Sequence, residues 1–151
     1  DIYEVRDQKV KYAKAVLTGA SKQAAIEAAE LEKDATLYRC HFEFPASLSL
    51  YINDKQIDAI KDGMTYNSLQ VQYESLVDMV PSLTEEEKKQ IYAWYKEARE
   101  FSMDAENSDK KHAAFNKYKG RINNYLTKRG YDLVKERNEW YKRLKAAGKK
   151  I

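Results

Sequence analysis

His112, Asn116, Asn123 and Thr127 recur at steps that place them along one flank of a helix turning 100° per residue. An imidazole, two amides and a hydroxyl in one line offer donors and acceptors together, which is what a neutral polyhydroxylated ligand requires. The same groups also serve to satisfy the ends of neighbouring helices, so the flank reads as scaffold too. Phe115, Tyr118, Ile122, Tyr125 and Leu126 take the core side, with Tyr118, Ile122 and Tyr125 expected as buried scaffold. Lys117, Arg121, Asn124 and Lys128 take the opposite, exposed side. A short turn at Asn107 makes this helix an antiparallel neighbour of the one before it, which carries Arg99. The expectation is one cleft near Tyr66, bordered by His112, Asn123 and Arg99, for a ligand about 16 Å long.

Glu100 and Asp104 stand one helical turn apart and share a face. Paired carboxylates suit acid–base chemistry on a glycosidic bond, where one raises the pKa of the other. They also suit ion pairs with Lys111 or Arg121, the preferred reading, because no nucleophile or glycine-rich loop accompanies them. His41 and His112 lack metal-ligand spacing, so no metal and no cofactor are expected. The single cysteine, Cys40, has no partner for an internal disulfide and is expected as a buried small hydrophobe between Tyr38 and Phe42.

These residues need helices to position them. The chain has 151 residues, 43% of them hydrophobic and 34% charged, with only two prolines and five glycines. That composition predicts an all-α fold, a single-domain multi-helix bundle over 1–151. Its twelve tyrosines give broad apolar faces with polar tips, suited to helix packing or to stacking against a ligand. No apolar run approaches the roughly 18 residues of a membrane span. The chain begins Asp1-Ile2-Tyr3, which points to a removed or omitted N-terminal segment. Charge is uneven: residues 110–151 hold 14 Lys or Arg against 3 Asp or Glu, a net of +11, whereas residues 1–109 carry a net of −8. Basic helices lying against acidic ones would explain this, as would a basic surface for a polyanion.

Apolar spacing predicts a first helix over 1–17 and a second capped by Ser21 and kinked by Pro45. A short helix follows from Asn53-Asp54 with Ile57 and Ile60 inside, ending at a left-handed Gly63. Residues 63–73 read as an irregular connection, extended through Leu69, Val71 and Tyr73, before a helical turn to Pro81. Thr84-Glu85-Glu86-Glu87 reads as a capping box opening a helix to about Glu106, with Ile91, Trp94, Tyr95, Ala98, Phe101, Ser102 and Ala105 on one face. Ser108-Asp109 caps the next helix, which Gly130 ends. Asp132 caps the last, with Leu133, Val134, Trp140, Tyr141 and Leu144 inward.

Three stretches, "KDGMTY" at 61–66, "LTEEEKKQIYAWYKEAREFSMDA" at 83–105 and "KHAAFNKYKGRINNYLTKRGYDL" at 111–133, carry a family resemblance. Over about Phe42 to Tyr141 the chain resembles a Bacteroidota family of exported proteins of unknown function, described as sugar-binding and often encoded with polysaccharide-degrading enzymes. "HFEFPASLSLY" departs from the smoother helix expected there. The resemblance brings no catalytic residues. Positions matching its pattern include Arg99, Asp104, Lys111, His112, Lys117 and Lys119, with Arg121, Asn123, Asn124 and Tyr131. It implies export to the periplasm or cell surface. The resulting expectation is a non-catalytic carbohydrate-binding protein, with acidic polysaccharide fragments among its candidate ligands and Tyr66, Arg99, His112, Lys119, Asn123 and Tyr131 as ligand-binding residues. The alternatives are a polysaccharide-active enzyme using Glu100, Asp104 or His112, and nucleic-acid binding by the basic C-terminal helices. The second is disfavoured because Tyr118, Ile122, Trp140 and Leu144 look committed to packing.

Overall fold

The computed structural model describes residues 1–149. Among them every regular element is helical: α1 (Ile2–Val16), α2 (Gly19–His41), α3 (Glu43–Leu48), α4 (Asp54–Met64), α5 (Ser68–Met79), α6 (Glu85–Met103), α7 (Ser108–Lys128) and α8 (Leu133–Ala146). The all-α expectation therefore holds. The chain divides into two compact units, Asp1–Ile57 and Asp58–Ile151. No helix of the described residues is long and apolar enough to cross a membrane.

In the first unit, α1 and α2 pair as a hairpin. Asp1 caps α1 by accepting from the Tyr3 amide at 2.9 Å. The α2 helix begins three residues earlier than expected, at Gly19 with Thr18 as its N-cap, so Ser21 lies inside it. Pro45 has no N–H to offer the His41 carbonyl, and the helix breaks and bends at Phe42, after which α3 carries on. Cys40 is exposed rather than buried, because only Ala29 of α2 is fully buried. Asn53 opens α4 with a reciprocal pair of bonds, each 3.0 Å, between its own backbone and side chain and those of Gln56.

In the second unit, α6 and α7 lie together along their length, α5 packs on α6, and α8 leans on α5 and α7. Its core joins Leu69, Leu76 and Val80 to Ile91, Tyr95 and Ala98 of α6 and to Phe115, Tyr118, Ile122 and Leu126 of α7. The expected stripes on α6 and α7 thus form the core, with four exceptions. Trp94 is only half-buried against it. Phe101 is 64% exposed, Ala105 falls beyond the end of α6, and Tyr125 is half-buried against the core. On α8, Leu133 packs on the core, whereas Val134 and Tyr141 are exposed and no residue is fully buried.

The connection expected over 63–73 is narrower and differently built. Gly63 stays helical, the turn occupies 65–67, and α5 starts at Ser68. Leu69, Tyr73, Leu76, Val77 and Val80 repeat at helical steps and pack together, a period that outweighs the short alternation of Leu69, Val71 and Tyr73. Ile60, expected inside α4, is more than a third exposed.

The capping box at Thr84 is present, with the Glu87 amide donating to the Thr84 hydroxyl and the Thr84 amide donating to the Glu87 carboxylate. Asn107, one residue before the expected cap, holds the start of α7. At the other end Gly130 sits at φ +95, the Tyr131 amide reaches the Leu126 carbonyl and the Gly130 amide that of Thr127, which is a Schellman closure. Asp132 caps α8 through the Lys135 amide.

Truncating Tyr118, which lies in the core with its hydroxyl on Glu97, removes both a large buried ring and a hydrogen bond. Tyr118→Ala should lower the unfolding free energy by about 3 kcal/mol, read from urea denaturation, whereas Tyr118→Phe should cost about 1 kcal/mol.

Candidate functional site

The α4–α5 turn is the most constrained piece of backbone. Tyr66 and Asn67 both adopt the left-handed region, at φ 58 and 54, although neither is glycine. Two successive non-glycine residues there cost on the order of 1–3 kcal/mol each and persist only where surrounding contacts force them. Here the forcing contacts are specific. The buried Thr65 hydroxyl donates to the Lys61 carbonyl, the Asn67 amide donates to the Asp62 carbonyl at 2.8 Å, and the Lys111 ammonium donates to the Met64 carbonyl at 2.8 Å.

The effect is to hold Tyr66 outward. Its ring is 55% exposed and stacks on the exposed imidazole of His112, with centroids 5.6 Å apart and planes 20° apart. Lys111 lies 5.9 Å from the same ring centroid. Tyr66 and His112, two of the expected ligand residues, are therefore neighbours.

Arg99 is close by but does not border a cleft. It is only 3% exposed, and its guanidinium donates to Asp58 at 2.6 Å and Asp62 at 2.7 Å. Burial alone would lower its pKa, but those two carboxylates outweigh burial and raise it further. Its Nε has no partner, so the charge is held by α4 rather than offered to a ligand. Glu100 pairs with Lys61 at 3.0 Å and lies 3.5 Å from Arg99. Glu100 is thus ion-paired, as expected of it, and the partners seen are Lys61 of α4 and Arg99 of α6. Asp104 forms the C-cap of α6.

The other expected residues are dispersed. Lys119 is exposed, and Asn123 is half-buried about three turns beyond His112 on α7. That distance removes both from the Tyr66 platform. Tyr131 is tied into a different cluster at the far end of α7: its hydroxyl donates to Glu87 at 2.6 Å, and Arg129 donates to the other oxygen of that carboxylate at 2.6 Å. Burial would raise the Glu87 carboxyl, but the bonds from Tyr131, the Thr84 amide and Arg129 prevail and hold it at about 2. The same bond to Glu87 raises the Tyr131 phenol. Tyr131 is a structural clamp.

A second feature was divided by the sequence reading between a core side and an exposed side. Trp94 of α6 packs edge-on to Tyr125 of α7, with centroids 5.1 Å apart and planes at 87°. Together with Lys117, Gly120, Arg121, Asn124 and Lys128 of α7, they line an open groove of about 580 Å³. An exposed glycine inside a helix was the available signal, since it costs about 1 kcal/mol relative to alanine and so calls for a reason.

The basic C-terminal third is thus partly consumed within the fold. Arg121 and Arg129 meet Glu97 and Glu87, whereas Lys117 and Lys128 have no ion pair among the described residues.

The chain belongs to the family described as "Protein of unknown function (DUF3826)", whose model matches residues 1–146. The match takes in "HFEFPASLSLY" and also residues 1–41, which lie outside the span that carries the resemblance. Comparison with curated proteins finds no match.

Because the Glu87 carboxyl is depressed in the folded chain, its contribution is present above the unfolded value near 4.5 and is lost as pH falls towards about 2. Unfolding free energy should therefore drop across that window, and Glu87→Gln should be less stable at pH 7 with a flatter acid limb, both measurable by denaturant titration at several pH values.

Proposed function

We propose that this member of the family is a carbohydrate-binding protein that uses Tyr66 and His112 as a ring platform. The observation that carries the reading is the strained turn, where two left-handed non-glycine residues keep an aromatic side chain exposed and stacked on an imidazole. Backbone strain of this kind concentrates at ligand-contacting positions, and its cost makes no sense for packing when the ring is mostly outside. A tyrosine ring offers an apolar face to the C–H side of a sugar, while the phenol and imidazole can bond hydroxyls at its edge.

Acid–base catalysis has less support. Glu100 is held by Lys61 and Arg99, and the imidazole of His112 is stacked on Tyr66 rather than oriented by a carboxylate. Export, polysaccharide utilisation and a Bacteroidota source fit this reading and rest on the family resemblance.

A calorimetric screen of neutral and acidic oligosaccharides tests the proposal. Binding is expected at micromolar to millimolar strength, and Tyr66→Ala or His112→Ala should weaken it by roughly tenfold or more, the loss of one stacking contact of about 1.4 kcal/mol. Thermal unfolding of both variants should stay within a few degrees of the parent, and Asn67→Gly should raise it by relieving the turn. An empty screen, or binding untouched by either substitution, overturns the reading.

A further inference from the structure

We infer that the α6–α7 groove is a second saccharide site, built for an extended acidic oligosaccharide whose anionic groups lie on the cations of α7 while a ring rests against Trp94. It rests on the carbohydrate reading for the class of ligand, but it uses none of the residues at the Tyr66 turn.

Lys117, Arg121, Asn124 and Lys128 follow one another at steps of four, three and four, so they form a single line along α7. The line is about 16 Å long by helical rise. That exceeds one sugar ring and suits a short oligomer. Its cations are available: Lys117 and Lys128 make no ion pair among the described residues, and the ion pair of Arg121 there is a long one, 3.5 Å, to Glu97. The Arg121 guanidinium lies 4.7 Å from the Tyr118 ring centroid, which orients it without occupying its donors. A guanidinium so placed can take a carboxylate or sulfate through two parallel bonds.

The groove wall completes the chemistry. Trp94 and Tyr125 supply apolar surface beside the cations, and exposed Asn124 supplies an amide that can both donate and accept. Gly120 is one of the lining residues. A Cβ there would meet nothing within 4 Å, so the glycine answers to no packing need, and a larger side chain would project into the open groove.

The line also ends. The next cation, Arg129, is bonded to Glu87 and lies 5.4 Å from the Tyr125 ring centroid, and Gly130 then closes the helix. A short, closed line of charge fits a few acidic sugar units better than a long nucleic-acid backbone, whose affinity grows from many phosphate contacts.

The test is an NMR and calorimetric titration of the full chain with hexagalacturonate, a sulfated hexasaccharide, galacturonic acid monomer and a single-stranded oligonucleotide. The indole N–H of Trp94 reports on the groove, while that of Trp140, held by Asp78 at 2.6 Å, serves as an internal control. One or both charged hexasaccharides should shift Trp94 and leave Trp140 in place, and which of them does so separates carboxylate from sulfate recognition. The monomer should bind at least tenfold more weakly, and Arg121→Gln should cost roughly tenfold, one charge-assisted bond. Gly120→Leu should abolish binding while raising the melting temperature, an outcome that loss of fold cannot mimic. Tyr66→Ala should leave the Trp94 shift intact, which separates this site from the platform. The inference is overturned if neither hexasaccharide moves Trp94, if Gly120→Leu binds as well as the parent, or if the oligonucleotide competes equally at 150 mM salt.

Discussion

A guanidinium cannot be buried without carboxylates to meet it, and Arg99 is buried. Asp58 and Asp62, one turn apart on α4, answer that demand, so α4 must lie across α6 at this level. Asp62 also accepts the Asn67 amide through its carbonyl, and Thr65 is buried beneath the same turn. The position of Tyr66 is therefore set by a charge it never touches. Lys61 and Glu100 repeat the arrangement at the margin with a second, more exposed pair. Removing Arg99 would leave two acids facing each other and free the turn, which is why stability and the presentation of Tyr66 are coupled.

Sequence periodicity was most informative where a stripe was long and unambiguous. The capping box at Thr84, the core line Phe115–Tyr118–Ile122–Leu126 and the stop at Gly130 follow from local chemistry, and each is present. The helix α5 was obscured because Leu69, Val71 and Tyr73 alternate over a short span, and only the later Leu76, Val77 and Val80 establish the helical period. Gly63 misled for a related reason: a glycine near a helix end suggests a left-handed cap, but the left-handed residues here are Tyr66 and Asn67, which intrinsic preference would not select. The sequence placed Tyr66 near His112 without a contact between them, since nothing in the local pattern of 63–67 announces the left-handed turn that stacks the two rings. The burial of Arg99 was not, since its partners come from a helix 37 to 41 positions away.

Charge counts along the chain had two readings, and ion pairs within the fold account for only some of the side chains. Arg129 meets Glu87 of α6 at 2.6 Å, whereas Arg121, with one long contact to Glu97, and Lys117 and Lys128 lie beside an aromatic wall. The division follows position along α7, because Arg129 at its C-terminal end reaches Glu87 near the start of α6, whereas Lys117, Arg121 and Lys128 form one exposed line. Net charge by segment cannot distinguish these cases; the identity of the facing residue does.

Glu87 lies near the start of α6 and is bound by Arg129 and Tyr131 from the end of α7, so one carboxylate joins the two chain-distant ends of a helical hairpin. The other end of the hairpin is already closed by the covalent turn through Asn107. The pair thus behaves as a ring fastened at both ends, and neither helix can peel from the other without first breaking the Glu87 cluster. Fraying is confined to the residues outside this ring, and the faces of α6 and α7 between the two closures keep a fixed register. A groove between them inherits that fixed width, so anything lying in it meets a surface whose shape is settled before contact.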